Sequence, residues 1–184
     1  MRIVGGRHRG ARLAEVGAGD AAAHLRPTTD RVRESLFGVL DGGRFGDPLT
    51  GARVLDLFAG TGALGFEALS RGAAQATFVD DGTVAGRLID ANAARLGRTD
   101  VVTRLTCAAA DLPAGTPCGL VFLDPPYGRS LGAPALARAR AQGWIEPGTL
   151  VVWEEAAPQI APRGFARRDA RTYGSVHVTF LEAL

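Results

Sequence analysis

The sequence of 184 residues contains no lysine, so all 21 of its strongly basic side chains are arginines, a bias that by itself excludes no function. The two cysteines, Cys107 and Cys118, show neither metal-ligand spacing nor a disulfide framework, which fits a reducing compartment. No apolar run is long enough to span a bilayer, and the charged start lacks the apolar segment of a secretion signal. We therefore expect a cytoplasmic protein with no membrane or metal partner.

The charge that is present is unevenly distributed. Residues 1–33 carry a net charge of +4, whereas residues 34–184 carry −2. This asymmetry indicates contact with a polyanion near the N-terminus, although charge alone fits a solvated basic face at least as well. The hydrophobic content of 46% is that of a globular protein, and the length suits one domain with a small appendage.

Hydrophobic periodicity predicts an α/β fold. It indicates a β-hairpin within residues 1–16, and then a helix that begins near 28–30 and ends at Gly42 or Gly43. Strands are predicted at 53–58, 76–80, 101–107, 119–124 and 149–155, helices at 63–72, 84–96 and 133–142, and a closing hairpin at 165–184. The alternation predicts a Rossmann-like, mostly parallel sheet with an antiparallel C-terminal hairpin and a small N-terminal hairpin extension.

The first predicted strand leads into "VLDLFAGTGALG", in which Gly60, Gly62 and Gly65 match the dinucleotide-binding pattern. Asp80, at the end of the second strand, stands where such proteins hold a ribose. An NAD enzyme is therefore one interpretation, and a plain tight turn is another. Asp56, however, would oppose a pyrophosphate at this loop, and it suits the cationic amino-acid part of S-adenosylmethionine. A helix-capping or loop-stabilising acid remains the alternative for Asp56.

The fourth predicted strand ends in "VFLDPPYG" (121–128). Asp124 and the carbonyl of Pro125 can each accept an N–H from an exocyclic amine and so aim its lone pair at a methyl group, while Tyr127 can stack on an extruded base. Such a transfer needs mainly positioning and electrostatics. The alternative is an acid at a strand end in a proline-rich turn, with a tyrosine that only packs.

Two pairs of motifs carry a family resemblance. "DLFAGTGALGFEALSRGA" followed by "FLDPPY" looks like a class I, S-adenosylmethionine-dependent amino-methyltransferase. "MRIVGGRHRGARL" with "RPTTDRVRESLFGVL" resembles the RsmD family, the bacterial 16S rRNA guanine-N2 methyltransferases. The resemblance covers nearly the whole chain. It implies methylation of N2 of guanine 966 in an assembled or nearly assembled small ribosomal subunit, with release of S-adenosyl-L-homocysteine. A monomer is the default expectation, because the sequence does not establish the oligomeric state.

The resemblance also assigns residues. It implies an RNA-binding hairpin extension over residues 1–26 and a methyltransferase domain over 27–184. The implied catalytic residues are Asp124, Pro125, Pro126 and Tyr127. The implied cofactor contacts are Asp56, Phe58, Gly60, Gly62, Asp80, Asp111, Thr28 and Arg31, with Asp81 as an alternative to Asp80 for the ribose. The implied RNA contacts are Arg7, His8, Arg9, Arg12 and Arg26.

Four other functions are considered. A DNA adenine-N6 methyltransferase could use the same turn, but it usually needs a target-recognition region for which this chain has little space. A protein-glutamine methyltransferase would more often carry asparagine in place of Asp124. An NAD-dependent oxidoreductase leaves both this turn and the basic hairpin unexplained, and a non-enzymatic rRNA-binding factor would not need Asp124.

Overall fold

The computed structural model describes residues 1–15 and 29–184. The helices are α1 (Asp30–Asp41), α2 (Ala63–Ser70), α3 (Thr83–Leu96) and α4 (Gly132–Ala141). The strands are β1 (Arg53–Leu57), β2 (Gln75–Val79), β3 (Val102–Leu105), β4 (Leu120–Leu123), β5 (Leu150–Glu155), β6 (Phe165–Tyr173) and β7 (Val176–Ala183). The predicted contacts Arg26 and Thr28 lie outside the described residues.

The seven strands form one sheet in the order β3-β2-β1-β4-β5-β7-β6. The first five strands pair in parallel, and β7 runs antiparallel between β5 and β6. This arrangement confirms the mostly parallel, Rossmann-like sheet with an antiparallel C-terminal hairpin. The strand order reverses between β1 and β4, so the carboxyl ends of these two strands border the crevice in which such sheets bind ligands.

Helices cover both faces of the sheet. One apolar cluster joins that sheet to α1, α2 and α3, with Phe37, Phe66 and Ile89 among its buried members. A second cluster on the other face packs α4 against the sheet through Leu136. Because the central parallel strands β1, β4 and β5 are buried on both faces, they read as mostly apolar runs.

The local signals at α1 act as expected. Thr29 is the N-cap, and its hydroxyl accepts a hydrogen bond of 3.3 Å from the Val32 amide. Gly42 follows the helix as its C-cap. Within the described residues, no helix has both the length and the apolar character needed to cross a membrane.

The N-terminal hairpin is present, but its pairing is shorter than predicted. The described part has one antiparallel bridge, between Arg2 and Arg12, and the Ile3 amide donates to the Ala11 carbonyl at 2.9 Å. Apart from this bridge, residues 11–15 form no regular strand, so the second arm of the predicted hairpin is not a full strand. Ile3 and Leu13 are buried in the same apolar cluster as α1 and α2, so this hairpin packs on the body of the protein.

Candidate active site

The loop after β1 has a backbone that few residue types adopt. Phe58, Gly60 and Gly62 have φ angles of 61°, 55° and 77°. The conformation suits the two glycines, but for Phe58 it costs about 1–3 kcal/mol. A hydrogen bond of 2.7 Å from the Gly62 amide to the Ala59 carbonyl closes the turn. Strain of this kind concentrates at ligand-binding loops, and the cofactor-binding role of this loop stays a prediction.

Packing also requires glycine at the start of α2. A Cβ atom at Gly62 would lie 2.7 Å from the ring of Phe66, and one at Gly65 would lie 2.3 Å from the ring of Phe78. The Phe66 and Phe78 rings pack with their centroids 4.7 Å apart. The missing side chains therefore let α2 approach β2 closely and bring the N-terminus of α2 to the carboxyl end of β1.

Asp56 lies within β1 and is 1% exposed. Its Oδ2 accepts a hydrogen bond of 2.9 Å from the Gly65 amide, so this acid fixes the start of α2, as the loop-stabilising alternative expected. Burial raises the pKa of Asp56 to about 8, with further rises from Asp80 and Glu154, although the Gly65 hydrogen bond opposes them. A cation beside Asp56 would restore the charged form of this acid, and a cationic ligand group is what the sequence predicts here.

Asp80 follows β2 and is half-buried. Its Oδ2 accepts from the Gly60 amide at 2.9 Å, and its Oδ1 accepts from the Gly82 amide at 2.8 Å. These two bonds tie the end of β2 to the glycine loop and fix the carboxylate. Asp81 is exposed. The anchored geometry favours Asp80 over Asp81 as the ribose ligand, and that role stays a prediction.

The loop after β3 brings a third acid to this edge. Asp111 is exposed in a short 3-10 turn, Ala109–Asp111. Burial raises the pKa of the Cys107 thiol, and the nearby carboxylates of Asp111 and Asp81 raise it further. Cys107 therefore lies just beyond β3 and close to both acids, near the strand end at which the sequence predicts it.

Asp124 comes directly after β4 and extends the pairing with β1, because its amide donates to the Leu57 carbonyl at 3.4 Å. Its side chain is half-buried. Burial raises the pKa of Asp124 well above its usual value, and the carboxylates of Glu154, Asp56 and Glu155 raise it further. Pro125 is buried, Pro126 is exposed and Tyr127 is half-buried. The structure thus brings the predicted catalytic turn to the same sheet edge as Asp56.

Two glutamates that the sequence interpretation missed complete this edge. Glu154 and Glu155 end β5 and are 0% and 8% exposed. Glu155 Oε1 accepts from the Gly128 amide at 2.7 Å and so anchors the end of the turn at 124–127. The sequence did contain a signal for them, since two adjacent acids end a strand that was predicted to be buried. If that strand pairs with β4, its end must lie beside Asp124.

Four of the predicted RNA contacts lie in the described part of the N-terminal hairpin. Arg7, Arg9 and Arg12 are exposed on the hairpin, whereas His8 is half-buried. Burial lowers the pKa of His8, and the charges of Arg98 and Arg7 lower it further, so the imidazole is a poor cation at neutral pH. Arg31, which was predicted as a cofactor contact, is exposed in the first turn of α1, and that role stays a prediction.

Not every arginine of the basic segment faces solvent. Arg33 is 0% exposed and donates to Asp30 Oδ1 at 2.8 Å and to the Arg2 carbonyl. Its guanidinium lies 3.8 Å from Glu67, which is also fully buried, in α2. The sequence interpretation missed Glu67, and the signal was one acid in a helix whose other residues are almost all apolar or small. Arg33 is therefore unavailable to a polyanion.

The strand order, the strained glycine loop and the acidic proline-rich turn at the next parallel strand together define a class I methyltransferase fold. A family model described as "Conserved hypothetical protein 95" matches residues 1–182. Ribosomal RNA small subunit methyltransferase D of Escherichia coli K12 is 39% identical over 163 residues, which cover 88% of this chain and 78% of that relative. Its counterpart in Haemophilus influenzae is 33% identical over 96% of this chain and 90% of its own length.

The solved structures agree with the sequence relatives. The yhhF protein of Escherichia coli superposes with a TM-score of 0.82 at 33% identity and covers 100% of this chain and 97% of its own. The chain belongs to the family of ribosomal RNA small subunit methyltransferase D. It is a methyltransferase enzyme.

Proposed function

We propose that this protein transfers a methyl group from S-adenosylmethionine to the exocyclic N2 of a guanine in 16S rRNA, at guanine 966, with the rRNA carried by an assembled or nearly assembled small subunit. The names of its relatives support an rRNA substrate. The observation that carries the proposed chemistry is the placement of Asp124 directly beside the end of β1, with its pKa raised by burial and by three neighbouring acids.

The residues at the carboxyl ends of β1 and β2 fit S-adenosylmethionine. Asp56 is a buried acid that a cation would stabilise, so it would bind the ammonium of the methionine part directly or through water. Phe58, Gly60 and Gly62 shape the loop that would hold this part, and the anchored Asp80 would accept the ribose hydroxyls. Asp111 would lie at the adenine end. When bound, the cofactor supplies an electrophilic methyl group on a sulfonium.

Asp124 and the Pro125 carbonyl would each accept one N–H of the target amine. These two bonds hold the nitrogen so that its lone pair, otherwise delocalised into the ring, can point toward the methyl group. Tyr127 would stack on the extruded base, and Pro126 would keep the turn rigid. After transfer the nitrogen carries an extra proton and is strongly acidic. Because this nitrogen is then a strong acid, it needs no potent base, and its proton can pass to the Asp124 carboxylate that would touch it.

The basic hairpin would supply affinity for the RNA backbone. Arg7, Arg9 and Arg12 are exposed guanidiniums on one small element, and guanidinium groups match phosphate geometry well. So small a surface offers little direct reading of sequence. Recognition would therefore depend on the shape of the ribosomal particle together with one flipped base.

Asp124→Ala tests the proposed chemistry. We expect methyl transfer to small subunits to fall by roughly 10²–10⁴-fold, because the variant has neither the aligning bond nor the proton acceptor. The cofactor dissociation constant, measured by calorimetry, should stay within about threefold of the wild-type value, since other residues hold the cofactor. If Asp124→Ala binds the cofactor as poorly as Asp56→Ala, Asp124 is a cofactor ligand and the proposed role is wrong. Full transfer activity in Asp124→Ala would contradict the mechanism altogether.

A further inference from the structure

The turn of the N-terminal hairpin is seated on the C-terminal end of α2. The Arg7 amide donates to the Ser70 carbonyl at 2.7 Å, and the His8 amide donates to Ser70 Oγ at 2.9 Å. Ser70 Oγ in turn donates to the Gly5 carbonyl at 2.6 Å. A helix ends with carbonyl groups that lack intrahelical partners. The hairpin therefore caps α2, with Ser70 at the centre of the contact.

Glu67, one turn earlier in α2, binds the same segment of the hairpin. Its two carboxylate oxygens accept the amides of Gly5 and Val4, at 2.8 and 2.9 Å. Glu67 also accepts from Arg71 at 2.8 Å and lies 3.8 Å from Arg33, so its buried charge is compensated on both sides. A fully buried and fully bonded carboxylate of this kind holds its partners in one arrangement.

The fit of the turn on α2 leaves no room for a side chain. A Cβ atom at Gly6, which has a φ of +71°, would lie 2.0 Å from the Ser70 carbonyl oxygen. A Cβ atom at Gly10, which has a φ of +86° in the same hairpin, would meet nothing within 4 Å. The two glycines thus share a backbone conformation, and they differ in their contact with α2.

The N-terminus of α2 adjoins the glycine loop that would bind the cofactor. Gly62 is the N-cap of α2, and the Gly65 amide bonds to the buried Asp56. α2 has eight residues, which corresponds to a length of about 12 Å. A single short and wholly buried helix therefore connects the loop for the methyl donor to the turn that presents Arg7 and Arg9.

We propose that α2 sets the distance between the methyl donor and the RNA backbone, and that the seat formed by Glu67 and Ser70 for residues 4–8 positions the hairpin's arginines on the substrate. This inference rests on the proposed function. Glu67, Ser70 and Gly6 are positioning residues, since they act through Arg7 and Arg9 and touch neither the cofactor nor the target base. The hairpin then works as a fixed part of the enzyme rather than as a separately moving arm.

Gly6→Ala and Gly10→Ala form the matched test. Both introduce a side chain at positive φ in the hairpin, but only Gly6→Ala forces the turn away from Ser70. For Gly6→Ala we expect kcat/KM on small subunits to fall about tenfold or more, mainly through KM. The logarithmic slope of KM against salt should become shallower by about one for each phosphate that the displaced arginines no longer reach. The cofactor dissociation constant should stay within about twofold. Gly10→Ala should match the wild type within about twofold in both constants and keep the wild-type slope.

Equally large effects in the two variants would trace the change to backbone strain and overturn the proposal, as would an unchanged KM in Gly6→Ala. Ser70→Ala gives a second test, because it removes a hydrogen-bonding group from α2 and adds no atoms. We expect a smaller rise in KM for small subunits and unchanged cofactor binding, and an unchanged KM would count against the seat.

Direct binding of the variants to small subunits without cofactor separates the two proposals. If the wild type binds the particle but yields no N2-methylguanosine, the proposed function fails while the seat is still tested by binding. If the wild type does not bind the particle, both fail.

Discussion

Acidic side chains lie near one end of α2 and basic side chains near the other, and the two groups differ in their exposure to water. Near its N-terminus, Asp56 is buried and Asp124 is half-buried, and the pKa of each is raised by lost hydration. Near its C-terminus, Arg7 and Arg9 are exposed on the hairpin. The first arrangement suits a small cation that leaves water when it binds, whereas the second suits a large polyanion that stays hydrated. The two binding events should therefore respond differently to salt and pH.

The largest difference should appear in salt dependence. If three or four exposed arginines contact phosphates, the dissociation constant for small subunits should rise roughly 40–150-fold between 50 and 200 mM salt, because bound counterions are released. The cofactor dissociation constant should change by less than about twofold, since buried charges are screened little. Both constants can be measured on the same preparation by filter binding and calorimetry. A parallel response of the two constants would contradict the comparison.

The packing at the N-terminus of α2 can be tested by comparing alanine substitutions of two glycines, one in α2 and one in α1. Gly65→Ala should lower the free energy of unfolding by about 1–3 kcal/mol, because its Cβ would overlap the Phe78 ring. Gly38→Ala, in α1, should have the opposite sign and raise stability by about 0.5–1 kcal/mol, because its Cβ meets nothing within 4 Å. Urea denaturation measures both changes. A loss of stability in Gly38→Ala as large as that in Gly65→Ala would remove the packing argument.

The pH dependence of cofactor affinity should be a smaller effect than the salt dependence of binding to small subunits, and it should depend on Asp56. Without a ligand Asp56 has a pKa of about 8, so below that pH it must lose a proton before it can pair with an ammonium. Affinity should therefore rise with pH by up to about tenfold per unit between pH 6 and 7.5, where the cofactor's own amine is still protonated. In Asp56→Asn the affinity should be weaker and nearly independent of pH over this range. An unaltered slope in Asp56→Asn would assign the titration to another group.

Local sequence signals predicted most of the fold correctly. The alternation of apolar runs with glycine and proline placed every strand of the sheet to within a few residues, and Thr29 and Gly42 marked the ends of α1. These signals act over short distances, so they can be read without knowledge of the tertiary structure. The N-terminal hairpin was predicted less accurately, because the amides of Val4, Gly5 and Ala14 donate to side chains of α2 and α3 rather than across the hairpin.

The candidate site was only partly predictable for a related reason. Asp56 lies near the end of β1, and Asp80 and Asp124 directly follow β2 and β4, each in a recognisable motif. Glu67 belongs to no such motif, and the amides that it binds lie 62 and 63 residues away in sequence. Its role could therefore be seen only after the hairpin had been placed against α2. Glu155 was missed because its importance depends on β5 lying next to β4.

The most direct test of the proposed function is the identity of the methylated nucleoside. Labelled methyl groups from S-adenosylmethionine would be offered to small subunits that lack the modification, with naked 16S rRNA and duplex DNA in parallel reactions, and the products would be digested to nucleosides. We expect N2-methylguanosine from the particle, with far less label in naked rRNA and none in DNA. N6-methyladenine from DNA, or a methylated nucleoside other than N2-methylguanosine from the particle, would contradict the assignment.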